Sequence, residues 1–173
     1  MLCTIILALL LGTSATPDPR ADPNAAEQRL EQARVAWVHD GDTITVTLGG
    51  RSEKVRLVGI DTPEINDDRP EYRAAAYAAR DYARSRLNGK TVTLEGDRYQ
   101  PDRDDYGRLL RYVHLDDGSN FNEELVRKGY ARVYDRFRFE AKGRFKSSEA
   151  DAKRNRLGVW TLPPGKWRST STF

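Results

Sequence analysis

Apolar and polar residues alternate through RVAWVHD (34–40) and DTITVTL (42–48), the period of a half-buried strand. Asp40-Gly41 joins these two runs, and Gly49-Gly50 turns the chain into a third, SEKVRLVGI (52–60). Three successive antiparallel strands are predicted. The period then changes. In PEYRAAAYAARDYARSRLNG (70–89), Tyr72, Ala75, Ala76, Ala79, Tyr82, Ala83 and Leu87 recur at helical spacing, and Asn88-Gly89 supplies a stop. KTVTLEGD (90–97) reads as a fourth strand. GRLLRYVHL (107–115) reads as a fifth, beyond the polar loop RYQPDRDDY (98–106). NFNEELVRKGYA (120–131) predicts a short helix capped by Ser119 or Asn120, and residues 139–155 predict another.

Five short strands, one helix after the third and two more at the end predict an α+β (mainly β) fold. The expected architecture is a five-stranded OB-type β-barrel with three α-helices. The ordered domain is expected over 34–160, preceded by a Pro- and charge-rich linker at 16–33 and followed by a tail at 161–173. A barrel of this kind hosts many unrelated activities, so function has to come from a site.

Composition narrows the chemistry. The chain has 173 residues, 38% hydrophobic and 32% charged, which fits one globular domain. A net charge of +3 permits a polyanionic partner without requiring one. Cys3 is the only cysteine and His39 and His114 the only histidines, so a disulfide and a histidine-rich zinc site are excluded. Any metal has to be held by oxygen, which favours a hard cation such as calcium or magnesium. LCTIILALLLG, followed by the small residues TSA at 13–15, reads as an export signal at 1–15. No Lys or Arg separates it from Met1, so either the signal is atypical or the true start lies upstream. A secreted or periplasmic monomer with no membrane segment in the mature form is expected.

Two acidic turns stand out. DGDT (40–43) and DTPE (61–64) are each ordinary polar turns when taken alone, and Arg56 and Arg108 are each ordinary surface arginines. Together they read differently. A meander sets the start of one strand near the end of its neighbour, so Asp42 and Asp61 meet at one end of the barrel. Two carboxylates brought together repel unless a cation lies between them. Two Asp oxygens, a backbone carbonyl and waters make a calcium site. Arg56 points away from Asp61 on a flat strand, and a bulge at Gly59 is predicted to bring it to the same mouth. Carboxylates, a hard cation and arginine forks are what phosphodiester cleavage requires.

The ordered series DGDT, VRLVGIDTPE, DYGR, NEELVRKGYA and SEADAKRNRLGVW resembles the staphylococcal nuclease (thermonuclease) family from about residue 34 to 160. The resemblance implies a calcium-dependent, sugar-nonspecific nuclease acting on DNA and RNA and leaving 3′-phosphate ends. It implies calcium on Asp42, Asp61 and the Thr62 carbonyl, with Asp40 acting through water. Glu64 would orient the attacking water, and Arg56 and Arg108 would clamp the scissile phosphate. Tyr106 and Tyr134 would meet the nucleotide. The chain departs from the family's best-known member in carrying Asp105 where that protein has lysine, which puts terminal-phosphate binding and exonucleolytic preference in question. Residues 132–156 combine many Lys and Arg with Tyr134, Phe137, Phe139 and Phe145, a pattern that serves either nucleic-acid contact or a core beneath a solvated face. A non-catalytic nucleic-acid-binding module of the same fold is the alternative, and retention of Asp42, Asp61, Glu64, Arg56 and Arg108 argues for the enzyme.

Overall fold

The computed structural model describes residues 30–163; the signal expected at 1–15, the linker up to residue 29 and the tail beyond 163 lie outside the described residues. Strands β1 (Leu30–Val38), β2 (Thr43–Leu48) and β3 (Arg51–Leu57) form the predicted meander. After the two-residue β4 (Ile60–Asp61) and helix α1 (Pro70–Leu87) come β5 (Thr91–Glu95) and β6 (Leu109–His114). Helix α2 (Phe121–Arg127), strand β7 (Arg132–Val133) and helix α3 (Lys142–Arg154) complete the order, with a short 3-10 turn at Gly158–Thr161.

The sheet closes into a barrel in the order β1-β2-β3-β6-β5, antiparallel except for β3 beside β6. This is the expected five-stranded OB-type barrel with three helices. Alternate residues such as Val35, Ile44, Val46, Val55, Val92 and Leu94 turn inward and are buried. β1 starts at Leu30, ahead of the residue-34 boundary expected from the sequence, because residues 30–34 pair with β5. β4 and β7 pair with each other outside the barrel.

The helices seal the barrel and fix the site. α1 begins on Pro70, whose missing N–H costs nothing in the first turn, and buries Tyr72, Ala76, Ala79, Ala83 and Leu87 along one stripe. Asn120 caps α2 by accepting the Glu123 N–H at 3.0 Å, one of the two caps expected. Buried Asn122 accepts the Val113 N–H at 3.0 Å and donates to the Val58 carbonyl at 3.0 Å, tying α2 to the turn between β3 and β4. Leaving any of these buried groups unpaired would cost about 1–3 kcal/mol. α3 packs on β7 through Glu149, which accepts the Val133 N–H at 2.8 Å.

Candidate active site

The Asp-Gly turn between β1 and β2 is built for close approach. The Asp40 side chain accepts the Asp42 N–H at 2.9 Å, and Gly41 is buried. A Cβ on Gly41 would lie 2.6 Å from the Thr62 methyl and 2.9 Å from Ala79 Cβ, so only glycine admits both neighbours. The turn delivers Asp42 to the start of the segment that follows β4. Its Oδ2 accepts both the N–H of Thr62 (2.9 Å) and its hydroxyl (3.0 Å), while Thr43 donates to Oδ1 at 3.1 Å.

Arg56 lies at the centre of the cluster. Among the described residues it is the largest fully buried side chain, and its Nη2 sits 3.3 Å from Asp42 Oδ2 and 3.9 Å from Asp61 Oδ1. The device that brings it there is not a bulge. β3 ends at Leu57, residues 58 and 59 turn with Gly59 at φ 76°, and the chain resumes extended at Ile60. A Cβ at Gly59 would meet the Phe139 ring at 2.6 Å, so glycine is required by both conformation and packing. The turn also supplies carbonyls: Arg56 donates to Leu57 O at 2.7 Å and Ile60 O at 2.9 Å. Those bonds make burial of the guanidinium tolerable.

Charge in this cluster is finely divided. Burial, then the adjacent Asp42 charge, pushes Asp61 up to about 6, although Arg56 and Arg132 pull the other way. Burial and Asp42 likewise push Asp40 up to about 7. Arg132 is the residue that reasoning from sequence missed. It faces Asp61 across the β4–β7 pair and donates to Oδ2 through Nε (3.1 Å) and Nη2 (2.9 Å). Two-residue strands carry no periodicity, so nothing in the sequence signalled this pairing beyond a generally basic segment.

The remaining expected residues lie on the segments that follow β4, precede β6 and follow β7. Glu64 is half-buried three residues beyond Asp61, and its carbonyl accepts the Asp67 N–H at 3.1 Å. Arg108 immediately precedes β6, where Leu109 and Leu110 pair with Val55 and Arg56, so it approaches from the neighbouring strand. Asp104 accepts the Arg108 Nε–H at 2.7 Å and its backbone N–H at 2.9 Å, holding the guanidinium at its Nε. Tyr106 is 64% exposed, with the Arg108 guanidinium over its ring at 5.3 Å. Tyr134 is placed differently from a stacking platform: it is buried, its N–H bonds Gly59 O at 3.0 Å, and its ring packs near Phe137. Phe139 and Phe145 are also core, which leaves Phe137 as the exposed aromatic among the four named in the basic segment.

Among the described residues no three His, Cys, Asp or Glu side chains form a ready-made cage. The donors expected from the sequence, the Asp42 and Asp61 carboxylates and the Thr62 carbonyl, are all oxygen, and burial together with the Asp42 charge raises Asp61. That set fits a hard cation completed by waters, and fits no soft metal.

Comparison with known proteins shows the family. Residues 54–162 match the family described as staphylococcal nuclease homologue. The chain is 32% identical over 159 residues to the thermonuclease of Staphylococcus hyicus, covering 91% of this chain and 90% of that protein. It is 36% identical over 139 residues to an uncharacterised endonuclease of Escherichia coli, covering 78% of this chain and 83% of that protein. An uncharacterised protein of Methanocaldococcus jannaschii is 38% identical over 146 residues, 73% of this chain and 70% of that one.

Proposed function

The chain belongs to the staphylococcal nuclease family, and from that premise we propose that it is an exported, calcium-dependent nuclease that hydrolyses phosphodiester bonds of DNA and RNA. The observation that carries the reading is the convergence of two carboxylates, Asp42 and Asp61, on one atom, Arg56 Nη2. Asp42, Asp61 and the Thr62 carbonyl would hold the cation, with Asp40 acting through water, and the cation would neutralise charge on a bound phosphate.

The chain's own residues do the rest. Arg108 is the accessible clamp: Asp104 holds its Nε, so its terminal nitrogens are turned toward an incoming phosphate. Arg56 is enclosed, and its role is to fix both carboxylates and carry positive charge beneath the phosphate. Glu64 accepts a proton from a water held in line with the scissile bond. Water oxygen bonds to phosphorus as the bond to the 5′ oxygen breaks; the departing oxygen takes a proton from solvent while Glu64 gives its own back to solvent, so the products end in 3′-phosphate and 5′-hydroxyl. Recognition is of backbone and unstacked bases, with Tyr106 exposed beside the clamp. The apolar run at 2–12 supports export, and among the described residues no helix is long and apolar enough to cross a membrane.

Digestion of plasmid, single-stranded DNA and RNA, with calcium and again with a chelator, tests the proposal. Calcium-dependent loss of all three is the expected result. Intact substrates at saturating calcium, with a folded protein that still retards DNA on a gel, would replace the enzyme with a binding module.

A further inference from the structure

Asp61 is shared by two arginines, one at each oxygen. Oδ1 faces Arg56 at 3.9 Å, and Oδ2 receives both Nε and Nη2 of Arg132 at 3.1 and 2.9 Å. The two arginines differ in freedom. Arg56 has no exposed surface, and its fork is held by the Leu57 and Ile60 carbonyls. The Arg132 side chain is 29% exposed, against 1% for that of Asp61.

The backbone beneath Arg132 is pinned. Asp61 pairs with Arg132 and Ile60 with Val133; the Val133 N–H goes to Glu149 and the Tyr134 N–H to Gly59 O. With the backbone pinned, separation of the pair falls to the side chains, and that of Arg132 is the one partly open to solvent.

We propose that Arg132 is a displaceable counter-ion of Asp61, holding Oδ2 in the metal-free protein and yielding it to a divalent cation, so that Arg132 sets the cation concentration at which the site fills. The proposal rests on the reading of Asp42 and Asp61 as cation ligands. Its physical basis is simple. A guanidinium and a dication compete for the same oxygen, and their mutual repulsion is strong at contact distance and weak once the arginine swings into water. Arg56 is unable to play this part because it is walled in.

Calorimetric titration of calcium into the full chain tests it, with wild type, Arg132→Gln, Arg132→Lys and Asp61→Asn compared, alongside melting in chelator and in calcium. Arg132→Gln should bind calcium about tenfold more tightly, as expected for removing one positive charge near a dication in a partly solvated site. Its metal-free melting temperature should fall while the calcium-saturated one stays near wild type. Arg132→Lys, a single donor without the fork, should bind more tightly than wild type by a smaller factor, and it serves if the glutamine variant does not fold without metal. Asp61→Asn should bind calcium poorly. Equal or weaker calcium affinity in the Arg132 variants, with wild type binding normally, overturns the counter-ion role. Absence of calcium binding in every protein instead overturns the ligand assignment beneath it.

Discussion

Asp42 binds Thr62 twice through one oxygen, taking its N–H at 2.9 Å and its hydroxyl at 3.0 Å on Oδ2. This contact joins the turn before β2 to the segment after β4, and it fixes Thr62, the residue proposed to lend a carbonyl to the cation, against Asp42. It depends on Gly41, over which Thr62 lies too closely for any side chain.

Gly41→Ala should therefore act as a mutation of the site without altering one of its donors. The added methyl has to displace Thr62 or Ala79, at a cost of about 1–3 kcal/mol. Denaturant unfolding should show that loss, and calcium titration should show weakened binding. An unchanged calcium affinity would mean that the Asp42–Thr62 contact does not organise the ligands.

Asp104→Asn tests how Arg108 is aimed. The substitution keeps the size of the side chain and leaves Arg108 charged, but weakens the bond at Nε. Turnover should fall by up to about 100-fold, the scale set by small misplacements of a catalytic group, with calcium affinity unaltered. A full-rate variant would show that Arg108 finds its position unaided.

Arg56→Met removes the charge between two carboxylates and leaves both in a buried setting. Breaking one side of a buried ion cluster costs about 3–5 kcal/mol. The loss should be largest in chelator and partly reversed by calcium, which replaces the missing positive charge. Equal destabilisation with and without calcium would separate Arg56 from the cation site.

The contrast between Arg56 and Arg132 shows what the sequence makes legible. Period-2 alternation in 34–60 predicts the meander, and the meander alone places Asp42 near Asp61. The spacing of alanines in α1 predicts its buried face, met at Ala76, Ala79 and Ala83. Gly59 predicts a bulge in a continuous strand; in the fold it breaks the strand, and the carbonyls on either side of the turn bind the buried arginine. Arg132 escaped notice because its partner is 71 residues away and the pairing strands are two residues long. Arg111 misleads in another way: alternation on β6 suits an exposed arginine, yet it is buried against Asp102, which bonds its Nη2 at 2.6 Å. Tyr134, Phe139 and Phe145 are core, and composition alone does not tell a packing aromatic from a stacking one.

Acidity should control the metal-free protein in a definite direction. Asp61 at about 6 and Asp40 at about 7 hold protons in the folded chain at pH values where the unfolded carboxylates, near 4, have lost them. Their contribution to stability is complete below about pH 4 and is lost as pH rises through about 6 to 7. For Asp61 the effect is on the order of 3 kcal/mol. Calcium needs the ionised carboxylates, so its stabilisation should grow over the same interval. Melting curves from about pH 5 to 8, with chelator and with calcium, check this, and Asp61→Asn should flatten the dependence. A calcium increment that shrinks toward pH 8 would contradict the electrostatics described for the cluster.

The central claim is that the barrel mouth hydrolyses phosphodiesters with Glu64 acting on the water. It is tested most directly by the cleavage rate of a single-stranded oligonucleotide at saturating calcium, wild type against Glu64→Gln, with folding and calcium binding verified for both. The account predicts calcium-dependent cleavage by wild type and a loss of at least about 10²–10³-fold in the variant, the scale of removing one well-placed electrostatic group. Equal rates in the two proteins, or no cleavage by a calcium-loaded wild type, would contradict it.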